Sequence, residues 1–269
     1  MILKEREVAI AAALEVGQLM LDWRKDFPPG PARMEYKDAK DVVTEVDTRS
    51  EAIIINHIRQ SFPGHHILAE EGGLQSGEAD SAYTWVIDPL DGTANYAADL
   101  AASCVSIALA EGEEIILGVV YNPFRDELFV GEKGKGSTLN GQPIQVFPTQ
   151  KLEKALVCFD LGYDEEKALE QLRQATFFRP RVRSMRILGS GVLGLVNVAL
   201  GRFDLFYHQA LKPWDLAAAL VILQEAGATV TQNTGEPANY LQPSIIAASP
   251  LIHEQFMQAL AEYHRGVER

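Results

Sequence analysis

Two features of the sequence predict an α/β fold, a layered sandwich with two sheet systems and helices between and outside them. From Tyr83 to Gly131 the pattern is that of consecutive strands, and beyond Thr149 helix and strand alternate. At 269 residues, 47% hydrophobic and 23% charged, the chain is long enough for one large domain or two interleaved ones around a real core. No repeat or long linker divides it. The expected organisation is an N-terminal α+β part, residues 1–149, packed tightly against a C-terminal α/β part, residues 150–269.

The first helix is predicted from Leu3 to Lys25, with Leu3, Ile10, Leu14 and Trp23 at roughly helical spacing, and Pro28-Pro29-Gly30 breaks it. A polar loop carrying Lys37, Asp38, Lys40 and Asp41 follows. A second helix is expected to start at Thr48, where Thr48 and Glu51 form a capping-box pattern ahead of Ile53, Ile54, Ile55 and Ile58; Pro63-Gly64 ends it. His66–Ala69 reads as a short strand delivering Glu70 and Glu71. Further strands are expected at Trp85–Ile87, Val105–Leu109, Ile115–Tyr121 and Glu127–Val130, with turns at Asp91-Gly92, Glu111-Gly112 and Asn122-Pro123. Gly134, Gly136, Asn140 and Gly141 mark tight turns; no helix follows directly, so this G-x-G is not a phosphate loop. In the second half, helices are expected at Glu165–Ala175, Gly191–Leu200, Trp214–Ala226 and Leu251–Tyr263. The strands expected there are Ala155–Cys158, Phe203–Tyr207, Thr229–Thr231 and Ile245–Ala248.

The formal net charge is -13, so bulk attraction to nucleic acid or to an anionic membrane is not expected. No run reaches the roughly 18 apolar residues of a membrane span, and no clear signal peptide opens the chain. A soluble, cytoplasmic protein is the expectation. Cys104 and Cys158, the two cysteines, stand in apolar stretches and read as core residues; a disulfide framework is excluded.

The chemistry concentrates in Trp85-Val86-Ile87-Asp88-Pro89-Leu90-Asp91-Gly92-Thr93-Ala94-Asn95-Tyr96. An apolar strand carries Asp88 to its end, Pro89 is expected to stop ladder pairing, and Asp91-Gly92 turns the chain sharply. Two carboxylates three residues apart across such a turn can converge, and like charges held close repel unless one protonates or a cation separates them. An ordinary turn would use the same residues. Three further acidic groups stand at element ends: Asp47 before the second helix, Glu70-Glu71 after a strand, and Asp215 at a helix start after Pro213-Trp214. Each has a local explanation, as part of a cap, as solvated loop charge, or as a first-turn acid favoured by the helix dipole. Their coincidence points instead to one site. Oxygen ligands without a His or Cys cluster suit a hard cation, magnesium before manganese or calcium.

The Trp85–Tyr96 stretch resembles the first signature of the inositol monophosphatase family, and Trp214-Asp215-Leu216-Ala217-Ala218 through Glu225-Ala226-Gly227-Ala228 resembles its second. Asp41-Val42-Val43-Thr44-Glu45-Val46-Asp47 and Ala69-Glu70-Glu71 are similar to two further motifs, so the resemblance covers about residues 5 to 260. It implies an αβαβα sandwich of the sugar phosphatase type, a homodimer, and lithium-sensitive, magnesium-dependent hydrolysis of a small phosphate monoester by metal-activated water. Two or three magnesium ions are implied. Glu70, Asp88 and the Leu90 carbonyl would hold the first, Asp88, Asp91 and Asp215 the second, and Glu70 with waters a weaker third. Asp47 and Thr93 would orient and help deprotonate the attacking water, with Glu70 also in the catalytic set. The backbone at Gly92-Thr93, together with Asp91, would meet the phosphate.

Departures from the family pattern bear on the substrate. Ala69 replaces a Gly before the paired acids. His208 stands where inositol-specific members carry a Glu that grips ring hydroxyls, and when protonated it would favour anionic substrates as pH falls towards 6.5. Gly191 falls in the part lining the sugar side, and Lys37 near the first loop matches a residue close to the active site. Arg179, Arg181, Arg183 and Arg186 form a basic run facing a negatively charged substrate, a subunit interface or solvent. The expected substrate is inositol monophosphate or a similar polyol phosphate. The alternatives are a fructose-1,6-bisphosphatase, a 3'-phosphonucleotide phosphatase, or, more remotely, a regulatory partner of RNA polymerase or ribosome factors.

Overall fold

The computed structural model describes residues 2–26, 35–36, 42–43 and 45–267. Helix α1 (Leu3–Asp26) is followed by short strands β1 (Glu35–Tyr36) and β2 (Val42–Val43), helix α2 (Glu45–Ser61), β3 (His66–Ala69) and β4 (Gly73–Gln75). Then come β5 (Tyr83–Asp91), α3 (Thr93–Ala97), β6 (Cys104–Glu111), β7 (Glu114–Asn122), β8 (Glu127–Glu132), β9 (Gly136–Leu139) and β10 (Gln142–Pro143). The second half holds β11 (Leu156–Phe159), α4 (Glu165–Phe178), β12 (Ser184–Arg186), α5 (Gly191–Ala199), β13 (Leu205–His208) and α6 (Pro213–Glu225). It closes with β14 (Thr229–Thr231), β15 (Ile245–Ala248) and α7 (Pro250–Val267).

The larger sheet runs β10-β9-β8-β7-β6-β5-β3-β4, antiparallel except for β3 with β5; the smaller runs β12-β11-β13-β15-β14, with β11 parallel to both its neighbours. The period-two alternation of strand side chains divides the molecule into layers. On β5, Trp85 and Ile87 pack with α1 and α2, while Val86 faces the opposite way among residues of α5 and α6. On the smaller sheet, Cys158, Phe206, Ile245 and Ala247 face α5 and α6, whereas Val157, Phe159, Tyr207 and Ile246 face α7 and the end of α4. The order is helix pair, sheet, helix pair, sheet, helix pair, as expected. Helix α6 is apolar all round because it is covered on every side, with Leu216 through Leu223 buried. Phe206, fully buried, abuts Gly194 of α5; truncating such an aromatic would cost about 3–5 kcal/mol.

Three expectations of detail are corrected. Leu3 and Leu14 of α1 are exposed, and the buried stripe is Ala9, Ala12, Ala13, Val16 and Met20, in which the three alanines let the helix lie close on α2 and the sheet. Helix α2 begins at Glu45, not Thr48, so Asp47 sits inside its first turn and Glu51 is buried and faces inward; the Glu71 N–H donates to it at 2.8 Å. Pro89 does not end its strand either. Strand β5 continues to Asp91, and the lost pairing is absorbed as a register shift against β6 between Asp88 and Asp91. The short strands β4, β9, β10 and β12 and the five-residue helix α3 lack a periodic run long enough to mark them in the sequence. The turns at Gly134, Gly136, Asn140 and Gly141 all adopt positive φ, as their residue types require.

Candidate active site

Alternation along β5 places Asp88 on the Val86 side, towards the middle helix pair, and the register shift turns Asp91 inward as well. Helix α6 brings Asp215 to them from its first turn. The carboxylates of Asp88, Asp91 and Asp215 each offer an oxygen within 4.8 Å of the others. Asp88 and Asp91 are buried and Asp215 is half-buried.

The protein supplies these acids with unequal help. Asp91 Oδ2 accepts from the Ser190 hydroxyl, from the Val192 N–H at 3.1 Å and from the Cys104 thiol at 3.7 Å. Burial pushes the Asp91 carboxyl up, and those donors oppose the shift. Asp88 accepts from the Leu90 N–H at 3.0 Å and also shares a hydrogen bond with Glu70. Burial raises it well above the usual carboxylate range, and the charges of Glu70, Asp91 and Asp215 raise it further. Asp215, which accepts from the Lys212 N–H at 2.7 Å, is likewise raised well above its ordinary value by burial and then by Asp91. Three acids crowded in low dielectric, each pushing its neighbour towards protonation, form a donor set that a hard divalent cation relieves. Carboxylate oxygens, with no nitrogen or sulfur ligand grouped with them among the described residues, fit magnesium.

Glu70 follows β3 in the Glu70-Glu71-Gly72 turn, and its charge is the largest acting on Asp88. The Thr93 hydroxyl lies 2.8 Å from Asp47 Oδ1 and 3.0 Å from the Leu90 carbonyl. Asp47 is fully buried, so α2 is tied to the end of β5 through Thr93. Gly92 turns the chain between β5 and α3 with φ +84, and a side chain there would meet the Ala102 carbonyl at 2.8 Å. Asp47, Glu70, Asp88, Leu90, Asp91, Gly92, Thr93 and Asp215 are thus linked through their neighbours into one region.

The profile of the inositol monophosphatase family matches residues 3–265. The chain belongs to the inositol monophosphatase family. An inositol-1-monophosphatase from Synechocystis is 42% identical over 224 residues, 83% of this chain and 78% of that protein. Inositol monophosphatase 3 of Solanum lycopersicum is 38% identical over 264 residues, covering 95% of this chain and 96% of the relative. The crystal structure of the extragenic suppressor protein SuhB from Bartonella henselae superposes with a TM-score of 0.89 at 31% identity, covering 96% of this chain and 98% of the other. As a family member the protein is a phosphoric monoester hydrolase acting on small phosphorylated substrates. No described helix is long and apolar enough to cross a membrane.

Within the family frame, His208 behaves differently from the expectation. It ends β13 and is buried, its Nδ1 accepts from the Ala210 N–H at 2.9 Å, and its Nε2 has no partner among the described residues. Burial, assisted by the charge of Lys167, pushes its pKa down to about 4. It is therefore neutral at physiological pH, with its proton on Nε2, and it is not a cation waiting for a second phosphate. Gly191 opens α5, where a side chain would meet Leu211 at 3.1 Å. Lys37 lies outside the described residues, as does Asp41. Of the arginine run, Arg181 stacks on the Phe177 ring at 3.7 Å and donates to the Phe177 carbonyl, and Arg186 donates to Ser184 Oγ at 2.7 Å. Arg179 and Arg183 are exposed.

Sequence reasoning missed Ser190, Cys104, Asn95 and Asp160, all of which brace this region. Ser190 carried a visible signal, since a Ser after a Gly at a predicted helix start is a cap; its side chain accepts from the Leu193 N–H at 3.2 Å. Its second role, donating to Asp91 across 99 positions of sequence, had none.

Proposed function

We propose that this protein hydrolyses inositol monophosphate, or a small polyol phosphate like it, with magnesium held by the acid cluster. The observation that carries this reading is the convergence of Asp88, Asp91 and Asp215, two buried and one half-buried, each with its carboxyl raised first by desolvation. Asp88 would bridge two cations, Glu70 and the Leu90 carbonyl would complete the first, and Asp91 and Asp215 would complete the second. Glu70 would hold a weaker third. Bound magnesium supplies charge neutralisation for the phosphate and a lowered pKa for an attacking water. The chain's own residues do the rest. Thr93 passes its hydroxyl proton towards Asp47, which frees the Thr93 oxygen to accept from the attacking water and hold it in line. The Gly92-Thr93 backbone meets the phosphate, and Gly191 and His208 border the polyol side. His208 contributes one donor there, the Nε2 proton, with its acceptor nitrogen already taken by Ala210. Lys37 and the Arg179–Arg186 run stand as candidates for the outer wall.

The relatives named as inositol monophosphatases support the substrate class. The rest of the proposal is a cytoplasmic, lithium-inhibited homodimer whose N-terminal part, residues 1–149, carries most of the ligands, and whose C-terminal part, residues 150–269, completes the site. The test is phosphate release from inositol phosphates, fructose bisphosphate, phosphoadenosine phosphate and NADP, each with magnesium and with chelator. Chelator-sensitive release that is fastest on inositol monophosphate is expected. Release that persists in chelator, or that is faster on a bisphosphate or a nucleotide, would overturn the reading.

A further inference from the structure

Between β12 and α5 the chain passes through Leu188 and Gly189, and every backbone polar group of this dipeptide lies within hydrogen-bond distance of a side chain. Asp160, the residue after β11, accepts on its Oδ1 from the N–H groups of Leu188 at 3.0 Å and Gly189 at 2.7 Å. Asn95, from α3 on the far side, places its Nδ2 2.9 Å from the Leu188 carbonyl, 3.0 Å from the Gly189 carbonyl and 2.9 Å from the Ala102 carbonyl. One grip comes from the smaller sheet and the other from the helix that follows β5 of the larger. Gly189 itself has φ +72, and a Cβ there would lie 3.0 Å from both polar atoms of the Asn95 amide. The close approach of Asn95 is open only to glycine.

What the clamped dipeptide delivers is Ser190. Its hydroxyl, buried, donates to Asp91 Oδ2, and the next turn of α5 adds the Val192 N–H to the same oxygen. Asp91 sits among like charges that push its carboxylate away, so its orientation depends on these donors. We propose that Asn95 and Asp160 are positioning residues that latch the two sheets together through Leu188-Gly189 and thereby fix Asp91, through Ser190, in the cation-holding arrangement. The inference rests on the proposed role of Asp91 and goes beyond it by naming what sets that side chain's direction. Outer partners of metal ligands typically carry about 10–100-fold in metal affinity.

The experiment titrates the purified protein with magnesium chloride alone in a calorimeter, without substrate. Asn95→Ala is expected to weaken binding about tenfold, and so is Asp160→Ala. Asp160→Asn keeps an oxygen in place to accept from the two N–H groups, and binding within about threefold of wild type is expected. In a Ser190→Ala background, Asn95→Ala should add less than about twofold, because the route to Asp91 is already cut. Loss from Asn95→Ala that is equally large with and without Ser190 would mean a merely structural contribution and overturn the latch. So would affinity unchanged in Asn95→Ala, while Asp88→Asn still abolishes binding. Wild-type protein that binds no magnesium, or Asp88→Asn that binds as well as wild type, would overturn the reading of the acid cluster and the latch with it. If Asp160→Ala does not fold, Asn95→Ala and Asp160→Asn decide the question by themselves.

Discussion

The ends of the two sheets meet in this protein with opposite electrostatics. At the end of β5 acid crowds acid: Asp88 accepts from one backbone N–H, and its carboxyl is raised by burial and then by the charges of Glu70, Asp91 and Asp215. At the ends of β11 and β13, Asp160 and His208 each have one atom bonded by the protein and one, Oδ2 and Nε2, with no partner among the described residues. Asp160 is satisfied on Oδ1 by two N–H groups, and its pKa rises only to about 6, while His208 has Nδ1 bonded and is held neutral. The lesson is one of division of labour. The larger sheet carries a charge imbalance that chemistry can use, and the smaller sheet carries single ionisable groups, His208 held neutral and Asp160 bonded on one oxygen, that set geometry.

The sharpest way to break this comparison is to remove the imbalance. Asp88→Asn deletes the acid that three others crowd. A rate loss of at least about a thousandfold, roughly 4 kcal/mol of barrier, is expected in magnesium. Without metal the same variant should melt at a higher temperature than wild type, because one buried repulsion is gone. Retained turnover above about a tenth of wild type would show that the crowding is structural.

A smaller effect tests whether the imbalance is coupled to proton transfer. Thr93→Val keeps the shape and removes the hydroxyl between Asp47 and the Leu90 carbonyl. Loss of a positioned proton acceptor costs on the order of a hundredfold, or about 2.7 kcal/mol. The loss should fall on kcat with KM little changed, and steady-state kinetics on inositol monophosphate measures that split. A variant that changes KM alone would make Thr93 a binding group.

How much of this was readable in advance follows the same division. The D-P-L-D-G-T-A-N run and the P-W-D helix start announce Asp88, Asp91, Thr93 and Asp215, because each owes its place to the element it sits on and the turn beside it. The layer order was readable because period-two and helical patterns are long there. Asn95, Asp160 and Ser190 were not, since each acts on a partner brought to it by tertiary packing, and Asn95 meets Leu188 across 93 positions. The Thr48 capping pattern misled for a related reason: Glu51 is recruited by the Glu71 N–H instead of its own helix end. His208 misled because burial, which the sequence does not display, decides its charge.

The smallest effect concerns that burial. His208 has an ordinary pKa near 6.5 when unfolded and about 4 when folded, so below pH 6.5 the unfolded chain takes up a proton that the folded one refuses. Its contribution to stability is therefore complete above pH 6.5 and is lost progressively as pH falls towards 4; at pH 5 the loss is about 2 kcal/mol. Asp160 works in the opposite direction. Its folded pKa of about 6 lies above its ordinary 3.8, so the folded chain gains a proton first and stability rises as pH falls from about 6 towards 4. In wild type the two slopes oppose one another, and only a difference between variants exposes either. His208→Asn retains an oxygen able to accept from the Ala210 N–H and removes the titration. Urea unfolding of both proteins in chelator at pH 7.5 and pH 5 then gives a double difference free of the acid cluster, which both share. The variant should gain about 2 kcal/mol relative to wild type on acidification. A double difference below about 0.5 kcal/mol would mean that His208 is reached by water in the folded protein and titrates normally, and that the quiet end of the site is not quiet.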